Sequence, residues 1–172
     1  MSEKGKEELN QYLTFKLDQE VYALEIGKVR EVLDSSDVTK VPRMPDFMRG
    51  VINLRGKVLP VVDLRLKFGM TATEQTVDTC IIIMEIAIDG ETTDLGAMAD
   101  SVQEVLDLEG DQVEPAPKIG TRLNTEFIKG MGKKDKEFII ILDVDKVFSA
   151  EELAIVQAAE EDTSPAEKEI RT

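Results

Sequence analysis

Hydrophobic and polar positions first alternate at Tyr12-Leu13-Thr14-Phe15-Lys16-Leu17, with Leu13, Phe15 and Leu17 on one side. A period of two predicts a strand with one buried face. Asp18-Gln19-Glu20 supplies a turn, and Val21-Tyr22-Ala23-Leu24 continues as a second strand. Ile88-Asp89-Gly90-Glu91 is a hairpin signal, because Asp-Gly accepts the positive φ angles of a tight turn. Pro60, inside the run Val58-Leu59-Pro60-Val61-Val62, predicts an edge strand or a bulge, since proline cannot donate to a ladder. Short strands with turns at close intervals favour a barrel or sandwich over a doubly wound α/β fold.

Parts of this pattern recur. Val29-Arg30-Glu31-Val32-Leu33-Asp34 returns as Val102-Gln103-Glu104-Val105-Leu106-Asp107, an offset of 73 residues (29 to 102). Phe47-Met48-Arg49-Gly50 returns as Phe127-Ile128-Lys129-Gly130, and Val61-Val62-Asp63 as Ile141-Leu142-Asp143, both at an offset of 80 (47 to 127, 63 to 143). The growing offset places the extra residues of the second copy around Pro115-Ala116-Pro117-Lys118-Ile119-Gly120. Three matches in one order predict two small β units of related shape.

The end of the chain reads differently. Ser149-Ala150-Glu151-Glu152-Leu153 has an N-cap serine and acidic residues in a first helical turn, with Leu153, Ile155 and Val156 available to pack one face. Beyond Glu160 the sequence is acidic without apolar periodicity, which predicts a solvating tail.

Composition narrows the chemistry. A chain of 172 residues can bury a core as one domain or two small ones. It carries 21 basic and 35 acidic residues, a formal charge of −14, and no basic patch, so DNA, RNA and anionic membranes would be repelled. No apolar run is long enough for a spanning helix and no signal or lipidation motif is visible, which predicts a soluble protein without direct membrane insertion. Cys80 is the only cysteine, which fits a reducing compartment and a buried inert thiol.

Histidine is absent, which removes the commonest general base and metal ligand. One cysteine cannot close a zinc site. Asp107-Leu108-Glu109-Gly110-Asp111 fails as a calcium loop, because glycine falls fourth and Lys118 stands where a glutamate is needed. Gly130-Met131-Gly132-Lys133-Lys134 is too short for a phosphate loop and reads as a turn with lysines guarding a strand edge. A carboxylate-only glycosidase stays open on composition, although no tryptophan is present to form a sugar platform. The expectation is therefore a binding module without catalytic residues, metal or cofactor.

The stretch from Pro42 to Arg65 carries the most information. It reads as a turn, the strand Gly50-Val51-Ile52-Asn53-Leu54, an Arg55-Gly56 turn, and the strand Lys57-Val58-Leu59-Pro60-Val61-Val62-Asp63. Arg55 then stands at a hairpin tip, exposed or paired with an acid. The run Gly-Val-Ile-Asn-Leu-Arg-Gly-x-Val-x-Pro-Val-x-Asp-Leu-Arg resembles the CheW family, the coupling proteins of bacterial chemotaxis, and the similarity extends over about residues 10 to 150.

The resemblance implies an all-β fold with a few short helices, built as two five-stranded SH3-like β-barrel subdomains packed together. Residues 1–10 would be a flexible N-terminus. Residues 11–150 would be the CheW-like domain, in halves of roughly 11–72 and 77–148 that partly interleave. Residues 151–172 would be the helix start and acidic tail. Family members bridge the histidine kinase CheA to the cytoplasmic tips of chemoreceptors, in the cytoplasm at receptor arrays. Carried over by position, the receptor would lie against Ile26, Val29, Glu31, Arg55, Val102 and Val105. The kinase would use Pro117, Lys118 and Ile119. At Gly96-Ala97-Met98-Ala99 the family usually has larger residues, which implies looser packing here. The alternative is a stand-alone regulatory domain that tunes one kinase without touching receptors.

Overall fold

The computed structural model describes residues 10–34, 38–42, 44–88, 90–109, 113–115, 127–134, 137–149, 151, 152 and 154. Strands dominate: β1 (Asn10–Leu17), β2 (Glu20–Glu25), β3 (Val29–Asp34), β4 (Met48–Leu54), β5 (Lys57–Asp63), β6 (Cys80–Ile88), β7 (Glu91–Ala99), β8 (Ser101–Leu108), β9 (Val113–Glu114), β10 (Ile128–Lys134) and β11 (Glu137–Leu142). A 3₁₀ turn at Ile26–Lys28 and two one-turn helices, α1 (Leu64–Lys67) and α2 (Val144–Val147), complete the named elements. The first sheet has the order β8-β1-β2-β11-β10-β9 and the second β3-β6-β7-β5-β4. One is five-stranded, and the other has a sixth strand, β9, only two residues long.

Strands from residues 11–72 and from residues 77–148 mix in both sheets. The first sheet combines hairpin β1–β2 with β8 to β11, and the second combines hairpin β6–β7 with β3 to β5. The exchange has a simple cause. Within a sheet, the second strand of the hairpin runs parallel to the outer strand, because both are antiparallel to the strand between them. Rejoining that outer strand in the same sheet would need a return path of about 20 Å. The three residues Ile26–Lys28 reach only about 10 Å, and Asp100 alone less. The chain therefore steps across to the other sheet at both places.

The repeat is real in three dimensions. Val61 pairs with Gly96 in one sheet and Ile141 with Ala23 in the other, which preserves the offsets of 80 (61 to 141) and 73 (23 to 96). Asp63 N–H donates to Phe47 O, and Asp143 N–H to Phe127 O. Phe68 and Phe148, also 80 apart, join the same symmetry: the Phe47–Phe148 and Phe68–Phe127 centroids both lie 6.0 Å apart. Those aromatic pairs cross the seam between the copies.

Among the described residues the core falls into four clusters, the smallest of them Met48, Val51 and Val58 on β4 and β5. A shared core between the sheets holds Phe15, Tyr22, Leu24, Ile82, Met84 and Leu142 among others. The first sheet wraps Tyr12, Ala23, Leu106 and Ile141, while the second wraps Ile52, Val61, Ile81 and Met98. This corrects the reading of β1 as a strand with one buried face. Leu13, Phe15 and Leu17 enter the shared core while Tyr12 enters the core of its own sheet, so both sides are covered.

Pro60 is not on an edge, since β5 lies inside its sheet between β7 and β4, but the β4–β5 pairing carries a bulge at Arg49, opposite Val61 and Val62. Its partner Val51 turns its N–H and C=O to Thr39 on the far side. Pro60 therefore faces away from β4, at a point before the parallel ladder with β7 begins at Val61. The small residues of β7 do not leave it loose either. A Cβ on Gly96 would stand 2.7 Å from Ile81 Cγ2, so the absent side chain is replaced by a neighbour. The extra residues assigned around 115–120 lie largely outside the described residues.

Candidate partner-binding surface

Strand β3 carries a bulge at Arg30: Val29 pairs with Met84, but Glu31 already pairs with Ile83. Strand β8 carries the same bulge, for Val102 faces Phe15 and Val105 faces Leu13. In a regular strand residues three apart point to opposite faces. The extra residue brings Val102 and Val105 to one face, beside the shared-core residues Phe15 and Leu13. Thr14 stitches the β8 bulge, its hydroxyl donating to Glu104 O at 2.8 Å and accepting from Glu104 N–H at 3.1 Å.

Val29 and Val102 are half-buried and pack on the shared core, one from each sheet. Val105 is 49% exposed, and Ile26, in the turn before β3, is 36% exposed. That turn touches both β1 and β6, the neighbours of β8 and β3. Ile26 therefore sits between the two valine-bearing strands. The structure adds a residue that the sequence reading missed. Val32 pairs with Ile82 and shares the face of Val29, and it is 39% exposed. It is the first-copy counterpart of Val105 (32 to 105, offset 73), so the repeat itself held the signal.

Glu31 and Arg55 do meet, through a salt bridge from Arg55 Nη2 to Glu31 Oε1. Arg55 takes φ 52° and Gly56 φ 84°, the two left-handed residues of the β4–β5 turn. The hydrogen bond to Glu31, with the attraction of that carboxylate, pushes the guanidinium still further up from its ordinary value. The pair does not join the valines, however. Glu31 lies opposite Ile83, a residue of the second sheet's own core, and so stands on the other face of β3 from Val29 and Val32. Pro117, Lys118 and Ile119 lie outside the described residues. Among those described, no three His, Cys, Asp or Glu side chains cluster as a metal site, and no helix is long and apolar enough to cross a membrane.

Residues 11–152 match the family model described as CheW-like domain. The chain belongs to the CheW family. It is 36% identical over 146 residues to the chemotaxis protein CheW of Klebsiella aerogenes, covering 85% of this chain and 86% of that one. It is 32% identical to CheW of Thermotoga maritima, over 78% and 85% of the two chains. The crystal structure of the scaffolding protein TtCheW from Thermoanaerobacter tengcongensis superposes with a TM-score of 0.74 at 36% identity, covering 84% of this chain and 90% of that one. The all-β architecture of SH3-like barrel subdomains is thus that of the family.

Proposed function

We propose that this protein is a non-catalytic chemotaxis adaptor that couples the histidine kinase CheA to the cytoplasmic tips of chemoreceptors, so that receptors control the kinase. It would work in the cytoplasm, held at receptor arrays by its partners. One observation carries this reading: Val29 on β3 and Val102 on β8 pack on the shared core, and Val32, Val105 and Ile26 beside them are exposed, which we read as one apolar row. On a chain with a formal charge of −14, an apolar row left open to water is a site for a partner's apolar side chains. Arg55 and Glu31 would add a polar contact from the opposite face of β3. Pro117, Lys118 and Ile119 are proposed for the kinase on the family resemblance.

Val105→Asp and Val32→Asp place a charge in that contact, which is poorly tolerated. Each should weaken binding of a receptor cytoplasmic fragment at least ~10-fold, or ~1.4 kcal/mol, and leave CheA binding unchanged. Parent-like receptor binding by both folded variants would refute the receptor face. A parent protein that tunes CheA yet never binds receptor would instead be a stand-alone regulatory domain.

A further inference from the structure

We infer that two polar junctions, one at each chain crossover, position the two sides of the apolar row, with Lys28, Asp145, Arg65 and Asp100 as positioning residues. This rests on the receptor reading above. Asp100 is the single residue between β7 and β8, and its Oδ2 accepts from Arg65 Nη1 at 2.8 Å and from the backbone N–H of Asp18 at 2.7 Å. Arg65 belongs to α1, and Asp18 is in the turn of hairpin β1–β2. At the other crossover the carboxylate of Asp145, on α2, accepts from Lys28 Nζ at 2.8 Å and 3.1 Å. Its Oδ1 also accepts from the backbone N–H of Ala87 at 2.8 Å. Lys28 ends the turn between β2 and β3, and Ala87 lies next to the tip of hairpin β6–β7.

Each junction thus joins a helix, a crossover and a hairpin end, and each ties the two sheets together. Arg65 and Asp145 occupy equal places in the two copies (65 to 145, offset 80). Asp100 corresponds to Gly27 at the offset of 73, one residue before Lys28. The polarity is reversed: in one junction the helix supplies the cation and the crossover the carboxylate, and in the other the roles are exchanged. The same three-way arrangement built twice with opposite charges is not inherited charge by charge from a common repeat. It is the arrangement that both copies keep.

The location says what is being held. Val29 directly follows Lys28, and Val102 is the second residue after Asp100. The first valine on each side of the row is therefore set by its crossover. The four charged side chains are only 16–32% exposed, so salt screens them less than open surface pairs. None of the four belongs to the apolar row, and their influence on a receptor passes through Val29 and Val102.

Asp145→Asn and Asp100→Asn are the informative variants, because the amide keeps one oxygen to accept the hairpin N–H while the charge is lost and, at Asp145, so is the second acceptor for Lys28. Each should weaken binding of a receptor cytoplasmic fragment about three- to tenfold, with CheA binding and melting nearly unchanged. Amide NMR shifts should separate the two sides. Asp145→Asn should move Ile26 to Val32 and spare Ser101 to Val105, and Asp100→Asn should do the reverse. Parent-like receptor binding by both variants, or equal loss of receptor, CheA and melting temperature, would overturn the inference. Val105→Asp in the same titration tells this failure from the other: if it also binds like the parent, the receptor reading itself is wrong.

Discussion

Asp63 and Asp143 stand at the ends of β5 and β11, 80 residues apart, and their backbone N–H groups reach Phe47 O at 2.6 Å and Phe127 O at 2.8 Å. The likeness stops at the side chains. Asp63 is wholly buried and accepts from Arg65 N–H at 3.0 Å, Thr73 N–H at 2.9 Å, Thr73 Oγ1 at 2.8 Å and Arg49 Nη1 at 3.2 Å. Asp143 is part-exposed, makes no capping hydrogen bond, and has Lys146 Nζ 3.9 Å away. The helices differ to match. α1 buries Leu64 alone, while α2 buries Val144 and Val147. One copy holds its strand-to-helix corner with a saturated carboxylate, the other with apolar packing. The same backbone path can therefore be secured by two chemistries, and they fail differently when cut.

Asp63→Ala tests this most severely. It leaves the Thr73 N–H and hydroxyl without their acceptor and Arg49 without its carboxylate, a loss of ~3–5 kcal/mol by analogy with broken buried pairs. In a chain of this size that is about 10 °C or more of melting temperature. Asp143→Ala, at a part-exposed site, should cost under ~1 kcal/mol. Thermal and urea melts of both variants measure the gap. Equal losses would mean that the corners are held alike.

The symmetry breaks again at Lys67, whose counterpart in the second copy is Val147 (67 to 147, offset 80). Lys67 Nζ lies 5.4, 5.5 and 5.8 Å from the ring centroids of Phe47, Phe127 and Phe148, and 2.8 Å from Glu152 Oε2. Ser149 and Glu152 also close a capping box, Ser149 N–H to Glu152 Oε1 at 2.9 Å and Glu152 N–H to Ser149 Oγ at 3.0 Å. Burial pushes the Glu152 carboxyl up, but the hydrogen bonds from Lys67 and Ser149 outweigh it and hold the group below its ordinary value. A lowered folded-state pKa stabilises fully above the ordinary value of 4.5, and the gain is lost as pH falls through the folded value. Glu152→Gln should thus be less stable than the parent at pH 7, by under ~1 kcal/mol, and the gap should close as pH falls through the folded-state value, below 4.5. A gap that does not change with pH would assign the contact to packing and capping instead of charge.

How much of this could be read from the sequence depends on which residues carried it. The turns at Asp18 and Arg55-Gly56 were legible because local chemistry decides them: both hairpins close there, with φ 60° at Asp18 and 52° at Arg55. The Ser149 cap was legible for the same reason, the repeat because three matches keep one order, and the Arg55–Glu31 pair only through the family resemblance, which puts both residues on the receptor side. The hairpin exchange was not, although its cause, the short links at Ile26–Lys28 and Asp100, lies in plain view. It shows only when strand directions are known. The matching bulges in β3 and β8 show in the sequence only as valines three apart, Val29 with Val32 and Val102 with Val105, a spacing that a strict period of two assigns to opposite faces, and with them went Val32. The crossover junctions were hidden because Arg65 and Asp145, 80 apart, carry opposite charges and Asp100 falls on Gly27, so a search for similarity passes over them.

The smallest expected effect on folding, and the sharpest test of function, belongs to Arg55. Its pair with Glu31 is a feature of the first copy: the counterpart of Glu31 is Glu104, whose backbone N–H is held by Thr14 in the β8 bulge. Arg55 stands in water at a turn, so its ion pair is screened and adds little to stability. Alanine adopts the φ of 52° no less readily than arginine, so the turn keeps the strain it already has. Arg55→Ala should therefore shift melting by no more than about 1 °C. Arginine is enriched at binding hot spots, where its planar fork meets carboxylates in two places at once. If the receptor tip reaches round β3 to this pair, Arg55→Ala should weaken its binding at least ~10-fold, and Arg55→Lys should recover only part of that, keeping the charge without the fork. The valines and the Arg55–Glu31 pair lie on opposite faces of β3, which gives the comparison its edge. Titration of a receptor fragment against Arg55→Ala and Val105→Asp separates the faces: loss in both means the receptor wraps the strand. Loss in Val105→Asp alone confines it to the apolar row and removes Arg55 and Glu31 from the receptor site.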